Sequence, residues 1–95
     1  MSAKVLVVVV TWNAMRWIDR CLGSVADCGA NADVMVVDNS STDGTQARIR
    51  ERFPRVMLVE SGGNLGFGAA NNIGLRYALE HRYDYVYLMN QDAWM

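Results

Sequence analysis

Cysteine, histidine and lysine are scarce in this 95-residue chain, which has two cysteines, one histidine (His81) and one lysine (Lys4). Cys21 and Cys28 lie seven residues apart in a helical pattern, so the chain has neither a CxxC redox pair nor a zinc ligand set. Both cysteines are read as reduced packing residues. Long apolar runs are missing too. The longest, Val5 to Val10, is about a third of a membrane span and sits too near the N-terminus to be the core of a signal peptide. The chain is therefore expected to be cytoplasmic, and the formal sequon Asn39-Ser40-Ser41 then has no meaning as a glycosylation site. Charge of one sign is also missing: the formal net charge is −1, which gives no sequence-wide basic field for nucleic acid or anionic lipid. No GxxxxGK[ST] loop occurs, and Gly66-Phe67-Gly68 comes far too late in the chain for a dinucleotide fingerprint. Repeats, low-complexity tracts and linkers are absent as well.

What remains is 52% apolar residues in one small domain. Lys4 to Val10 is a continuous run of strand length, largely β-branched with five valines and without alternation, the pattern of a strand covered on both faces. Ile18, Cys21, Leu22, Val25 and Ala26 then recur at helical spacing, with Asn13 read as the N-cap and Gly29 just past the end. Val34 to Val37 is a second strand. A helix over 44–52, burying Ala47, Ile49 and Phe53, is stopped by Pro54. Val56 to Val59 is a third strand, Ala70, Ile73, Gly74, Tyr77 and Ala78 mark a third helix, and Asp84 to Met89 is a fourth strand. The order βαβαβαβ predicts an α/β fold in three layers, with a mainly parallel four-stranded sheet between helices.

Open parallel sheets bind ligands outside the carboxyl ends of their strands. Here those ends read Thr11-Trp12-Asn13, Asp38-Asn39-Ser40, Glu60 to Gly68 and Asn90-Gln91-Asp92, all polar and none basic. Asp38 has two readings, a hydrogen bond to a ribose hydroxyl or a carboxylate bracing the turn that follows it. Asp43 is read as a helix cap. The stretch from Asn39 resembles a calcium loop, but Arg50 stands where the bidentate glutamate belongs, which argues against calcium. Asn90 and Asp92, two residues apart in an extended segment, are either a polar strand end or two oxygens for one cation. So small a donor set suits Mg²⁺ or Mn²⁺ arriving with a diphosphate.

With the loops placed, five motifs appear in order: Val9-Val10-Thr11-Trp12-Asn13, Cys21 to Val25, Val36 to Thr45, Asn64 to Gly74, and Leu88-Met89-Asn90-Gln91-Asp92. Together they resemble the N-terminal half of a family-2 glycosyltransferase of the GT-A (nucleotide-diphospho-sugar transferase) fold, over essentially the whole chain. The variant with Asn90 as first residue of the DxD-type motif resembles the rhamnosyltransferase-like subgroup. The resemblance implies a nucleotide-diphosphate sugar as ligand, UDP-linked first and dTDP-linked second. Thr11 and Asp38 would lie near base and ribose, with Asn13, Asn39 and Ser40 beside them. Asn64, Gly66 and Asn71 would line the next wall, Asn90 would lie at the diphosphate, and Asp92 would hold a divalent metal, Mn²⁺ or Mg²⁺, on the bound diphosphate. It also implies a chain truncated before the catalytic base, inactive alone, with an exposed edge and a Trp94-Met95 tail prone to self-association or to peripheral membrane contact through the missing part.

Three rival readings stand beside this one. A non-catalytic nucleotide-sugar-binding module shares every loop residue. A receiver-like domain phosphorylated on Asp38 would need an acidic pair after the first strand and a late lysine, and has neither. A purely structural role for the loops predicts no response to any ligand.

Overall fold

The computed structural model describes residues 4–27 and 32–91. Seven elements follow in order: β1 (Val5–Thr11), α1 (Ile18–Asp27), β2 (Ala32–Asp38), α2 (Thr45–Arg52), β3 (Met57–Glu60), α3 (Gly66–Glu80) and β4 (Tyr85–Asn90). The four strands form one parallel sheet in the order β3-β2-β1-β4.

The lack of alternation in β1 is explained by its place in the sheet. Leu6 to Val10 are each 2% exposed or less, because both faces of the strand are covered. Val7 and Val9 pack with Ile18, Cys21, Leu22 and Val25 of α1 and Ile49 of α2. Leu6, Val8 and Val10 pack with Met35, Val37, and Ala70 and Ala78 of α3. Burying side chains of this size contributes about 1.5–3 kcal/mol each. Right-handed crossovers dictate the two layers: β1 to β2 to β3 steps one way under α1 and α2, and the return to β4 crosses β1, so α3 lies on the other face. The direction of winding thus reverses between β1 and β4.

Several expected details differ. Helix α1 starts at Ile18, after a turn in which the N–H groups of Trp17 and Ile18 both donate to the Ala14 carbonyl at 2.8 Å. Asn13 does not cap it, because its side-chain oxygen accepts the Thr42 N–H instead. On α2, Ala47 is exposed and the buried residues are Thr45 and Ile49. Helix α3 begins four residues before the first expected marker, Ala70, with Gly66 at φ 80. Cys28, Gly29 and the Trp94-Met95 tail lie outside the described residues.

The amino-terminal ends of the strands are tied by the one lysine and by Tyr83. The Lys4 ammonium donates to the His81 carbonyl at 2.5 Å and lies over the Tyr83 ring, 4.4 Å from its centroid. The Tyr83 hydroxyl donates to Asp33 at 2.5 Å. Burial, and then the Asp33 carboxylate, push the Tyr83 pKa up. Strands β3 and β4 are the sheet's edges, and among the described residues β4 is the barer one, where Tyr85 (65% exposed), Tyr87 and Leu88 face solvent.

Gly74 sets how closely α3 approaches the sheet. A Cβ there would come within 2.6 and 2.7 Å of the two γ-methyls of Val8, a fully buried and rotamerically stiff side chain. Gly74→Ala is therefore expected to destabilise the fold by about 1–3 kcal/mol from overpacking, even after its gain in helix propensity. A lowered urea midpoint checks this, and a raised midpoint would refute it.

Candidate functional site

The carboxyl ends of the strands converge on Asp38, the last residue of β2. It is fully buried, and its carboxylate is held from within the chain. Oδ1 accepts the Thr11 hydroxyl at 2.7 Å and the Ser41 hydroxyl at 2.6 Å, and Oδ2 accepts the Ser41 N–H at 2.9 Å. Thr11 ends the neighbouring strand β1 in register with Asp38, so the first of these bonds joins two strand ends side by side. The bracing role weighed for Asp38 is thus present, as an Asx-type turn closed on Ser41.

From this centre the first two loops are stitched together. The N–H groups of Asn13, Ala14 and Met15 donate in turn to Ser41 Oγ (2.8 Å), Thr45 Oγ1 (2.9 Å) and Asp43 Oδ2 (3.1 Å). Asn13 answers by accepting the Thr42 N–H at 2.7 Å. Asp43 also accepts the Thr45 N–H and hydroxyl, which accounts for its place at the start of α2. Asn13 (φ 48) and Ser40 (φ 60) are both left-handed, a backbone state that is uncommon outside glycine and recurs at functional loops. Ser40 stands exposed at the surface of this knot.

The third loop is attached through Asn39, which is buried. Its N–H donates to the Thr11 carbonyl at 2.8 Å, and its side-chain oxygen lies 3.1 Å from the Ser61 hydroxyl and 3.4 Å from the Leu65 N–H. Asn64 is exposed and accepts the Gly66 N–H at 3.3 Å. Helix α3 then begins without a side-chain cap. Its exposed first turn, Gly66-Phe67-Gly68, presents the backbone N–H groups of Phe67 and Gly68, which precede the helix's own ladder, and the positive end of the helix dipole at the rim. Asn71 follows in the second turn, half-buried. Across the sheet, the exposed Asn90 ends β4, and its carbonyl accepts the Cys21 thiol at 3.7 Å. Asp92 lies outside the described residues.

Thr11, Asn13, Asp38, Asn39, Ser40, Asn64 and Gly66 are therefore drawn into one linked set of loops, with Asn90 at its other side. Reading the residues alone missed the hydroxyls of Ser41 and Thr45, which do much of the stitching, although the density of hydroxyls in Ser40-Ser41-Thr42 was a usable signal. It also missed Trp12, which is 49% exposed in an otherwise polar loop, and Gln91, whose side-chain oxygen accepts the Trp12 N–H at 2.8 Å. The carboxylates of Asp38 and Asp43 are both committed to bracing the loops. Among the described residues no group of three or more acidic, histidine or cysteine side chains could hold a metal without help from a ligand.

Asp43 also gives the loops an acid limit. Partial burial works to raise its pKa, but bonds from the Thr45 hydroxyl and the N–H groups of Met15 and Thr45 outweigh this and hold it below the usual 3.8. The hydrogen-bonded guanidinium of Arg48 likewise lowers Asp19. A carboxylate lowered in the folded state contributes stability that is present above its unfolded value and lost as pH falls through its folded value. Asp43→Asn is therefore expected to be less stable than the parent at neutral pH, with the gap closing as pH falls below 3.8. Urea midpoints across pH check this; a gap that does not change with pH would refute it.

The description "Glycosyl transferase family 2" matches residues 6–95. Over 67 residues the chain is 39% identical to N-acetylglucosaminyl-diphospho-decaprenol L-rhamnosyltransferase of Mycobacterium tuberculosis, covering 70% of this chain and 22% of that protein. It is 33% identical over 94 residues to undecaprenyl-phosphate mannosyltransferase of Micrococcus luteus, covering 95% of this chain and 38% of the relative. Among solved structures, a mannosyltransferase from Pyrobaculum calidifontis in complex with GDP-Man and Mn²⁺ superposes with a TM-score of 0.86 at 30% identity, over 99% of this chain and 29% of that one. The chain thus spans well under half the length of these relatives, and the fold is that of GT-A glycosyltransferases. The five motifs, the parallel sheet and the loops at its carboxyl edge belong to one family: this chain is a member of glycosyl transferase family 2.

Proposed function

We propose that this chain binds a nucleotide-diphosphate sugar, as the donor-binding half of an enzyme that transfers the sugar to a saccharide or lipid-linked acceptor. The observation that carries this is the knot of Thr11, Asp38 and Ser41, which ties two polar loops together at the carboxyl ends of β1 and β2, next to the β1–β4 gap where the winding reverses and near the start of α3. Thr11 and Asp38, both fully buried, brace the loops from beneath the base and ribose, and Asn13, Asn39 and Ser40 form the near wall. Asn64, Gly66 and Asn71 form the far wall, with the N–H groups of α3 available to the diphosphate. Trp12 offers a flat ring for the base, a contact worth about 1–3 kcal/mol in stacked sites.

Asn90 and Asp92 supply two hard oxygen donors, which suits a divalent cation that takes its other ligands from the diphosphate and water. Mn²⁺ or Mg²⁺ bound in this way supplies positive charge against the leaving diphosphate. The base that would deprotonate the acceptor is not assigned to any residue of this chain. UDP- and dTDP-sugars are the leading donors. No helix among the described residues is long and apolar enough to cross a membrane, and a cytoplasmic setting, at the inner membrane face when the acceptor is lipid-linked, is part of the proposal. Because Asp38 and Asp43 are both engaged in bracing, a binding module without transfer activity is the second reading.

A thermal-shift panel with UDP, dTDP, GDP and ADP, each with and without Mn²⁺, tests the proposal. One nucleotide at a hundred times its dissociation constant is expected to stabilise the chain by about 2.7 kcal/mol, in a Mn²⁺-dependent way that Asp92→Ala abolishes. No shift with any of them would overturn the reading, and a shift indifferent to metal would overturn the role of Asp92. The bare β4 edge is proposed to pair with a second copy. Sedimentation is expected to show concentration-dependent dimers that Tyr87→Lys disperses, and a monomer at all concentrations would refute this.

A further inference from the structure

We propose that Gln91 is a positioning residue: its side-chain oxygen clasps the Trp12 backbone N–H and holds the main chain from which the indole projects at the rim of the nucleotide site. Gln91 is the middle residue of Asn90-Gln91-Asp92, between the two residues assigned to diphosphate and metal. The proposal rests on the donor-binding reading above and adds to it the residue that orders the aromatic ring.

Strands β1 and β4 part at their carboxyl ends. Strand β1 stays in register with β2 through Thr11 and Asp38, but its pairing with β4 stops at Val10 and Asn90. The next backbone donor on β1's path, the Trp12 N–H, has left the ladder. It is met by Gln91 Oε1 at 2.8 Å. A backbone N–H can only donate, so the amide must present its oxygen, and the orientation of the side chain follows. A side chain thus extends the ladder one step into the gap where the winding reverses.

Two further contacts make the clasp stiff at both ends. On the β4 side, the Asn90 carbonyl accepts the Cys21 thiol, so the strand end is held from beneath by α1. On the β1 side, the residue after Trp12 is fixed by the Asn13 N–H to Ser41 and by the Thr42 N–H to Asn13. Trp12 lies between these anchors, half exposed, so its own amide is the remaining main-chain point at which the base of the side chain can be held. Gln91 supplies that point. An aromatic ring held in place before the ligand arrives loses less conformational entropy on binding than one that must be ordered.

The test is a double-mutant cycle on the whole chain. Binding of UDP, dTDP and GDP is titrated for the parent, Gln91→Met, Trp12→Ala and the double variant, and each unfolding midpoint is recorded without nucleotide. Methionine keeps the length and removes the acceptor. Gln91→Met is expected to weaken binding about five- to tenfold with little change in midpoint, and to have no further effect once Trp12 is alanine. Equal binding by Gln91→Met and the parent, or equal weakening in both backgrounds, would overturn the inference while leaving the donor-binding reading intact. If the parent binds none of the three, that reading fails separately. The clasp is then decided by Trp12 fluorescence anisotropy in a Trp17→Phe, Trp94→Phe background. Lower anisotropy in Gln91→Met, restored by Gln91→Glu with its retained acceptor, supports the clasp. Unchanged anisotropy overturns it.

Discussion

A carboxylate with no solvent around it must find its partners in the chain, and at Asp38 that requirement organises everything at the functional edge. A buried unpaired charge would cost several kcal/mol, so the oxygens of Asp38 are met by the Thr11 hydroxyl and by the hydroxyl and N–H of Ser41. Meeting them forces β1 and β2 to end level and bends the second loop back over the sheet. The Ser41 hydroxyl, once turned to Asp38, is placed to accept the Asn13 N–H, and the first loop is thereby bound to the second. The same residue pair thus connects strand register to loop shape.

Below that edge the fold depends on close approach. Three helices cover a sheet of four strands, and the central strand contributes nothing but Leu and Val to both sides of its middle. The two helices of one layer, α1 and α2, are joined by the Asp19–Arg48 pair, and the opposite end is tied by the Lys4 and Tyr83 contacts. The result is an amino-terminal end tied by Lys4, Tyr83 and Asp84 and a carboxyl end made of loops that are hydrogen-bonded to one another. Binding residues sit on loops that a stiff scaffold positions.

Much of this was legible in the residues. The β-branched run of β1 could be only a doubly covered strand, and Pro54 ends α2 because proline has no N–H to give and clashes with the preceding turn. The hydroxyl-rich stretch after β2 announced a tight polar loop. Other features were not legible, for physical reasons. The strand order depends on which way α3 crosses, a long-range matter that local periodicity does not encode. Asn13 has the right chemistry for a cap, but the Thr42 N–H competes for the same oxygen and wins. Ala47 follows helical spacing, yet α2 packs through Thr45 and Ile49, so its methyl faces water. The contact between Gln91 and Trp12 joins positions 79 residues apart and has no sequence signature.

The strand order carries a consequence for how the chain is made. Strands β1, β2 and β3 neighbour one another in the order in which they are synthesised, while β4 must return to β1, as the Lys4 and Asp84 bond across 80 residues illustrates. Closing so long a loop is entropically unfavourable until the surface that receives β4 exists. A nascent chain can therefore assemble β1, β2 and β3 with α1 and α2 before β4, which ends on Asn90 and leads into Gln91, returns to dock beside β1. The half of the site on β4 is then acquired after the half that Thr11 and Asp38 build on β1 and β2.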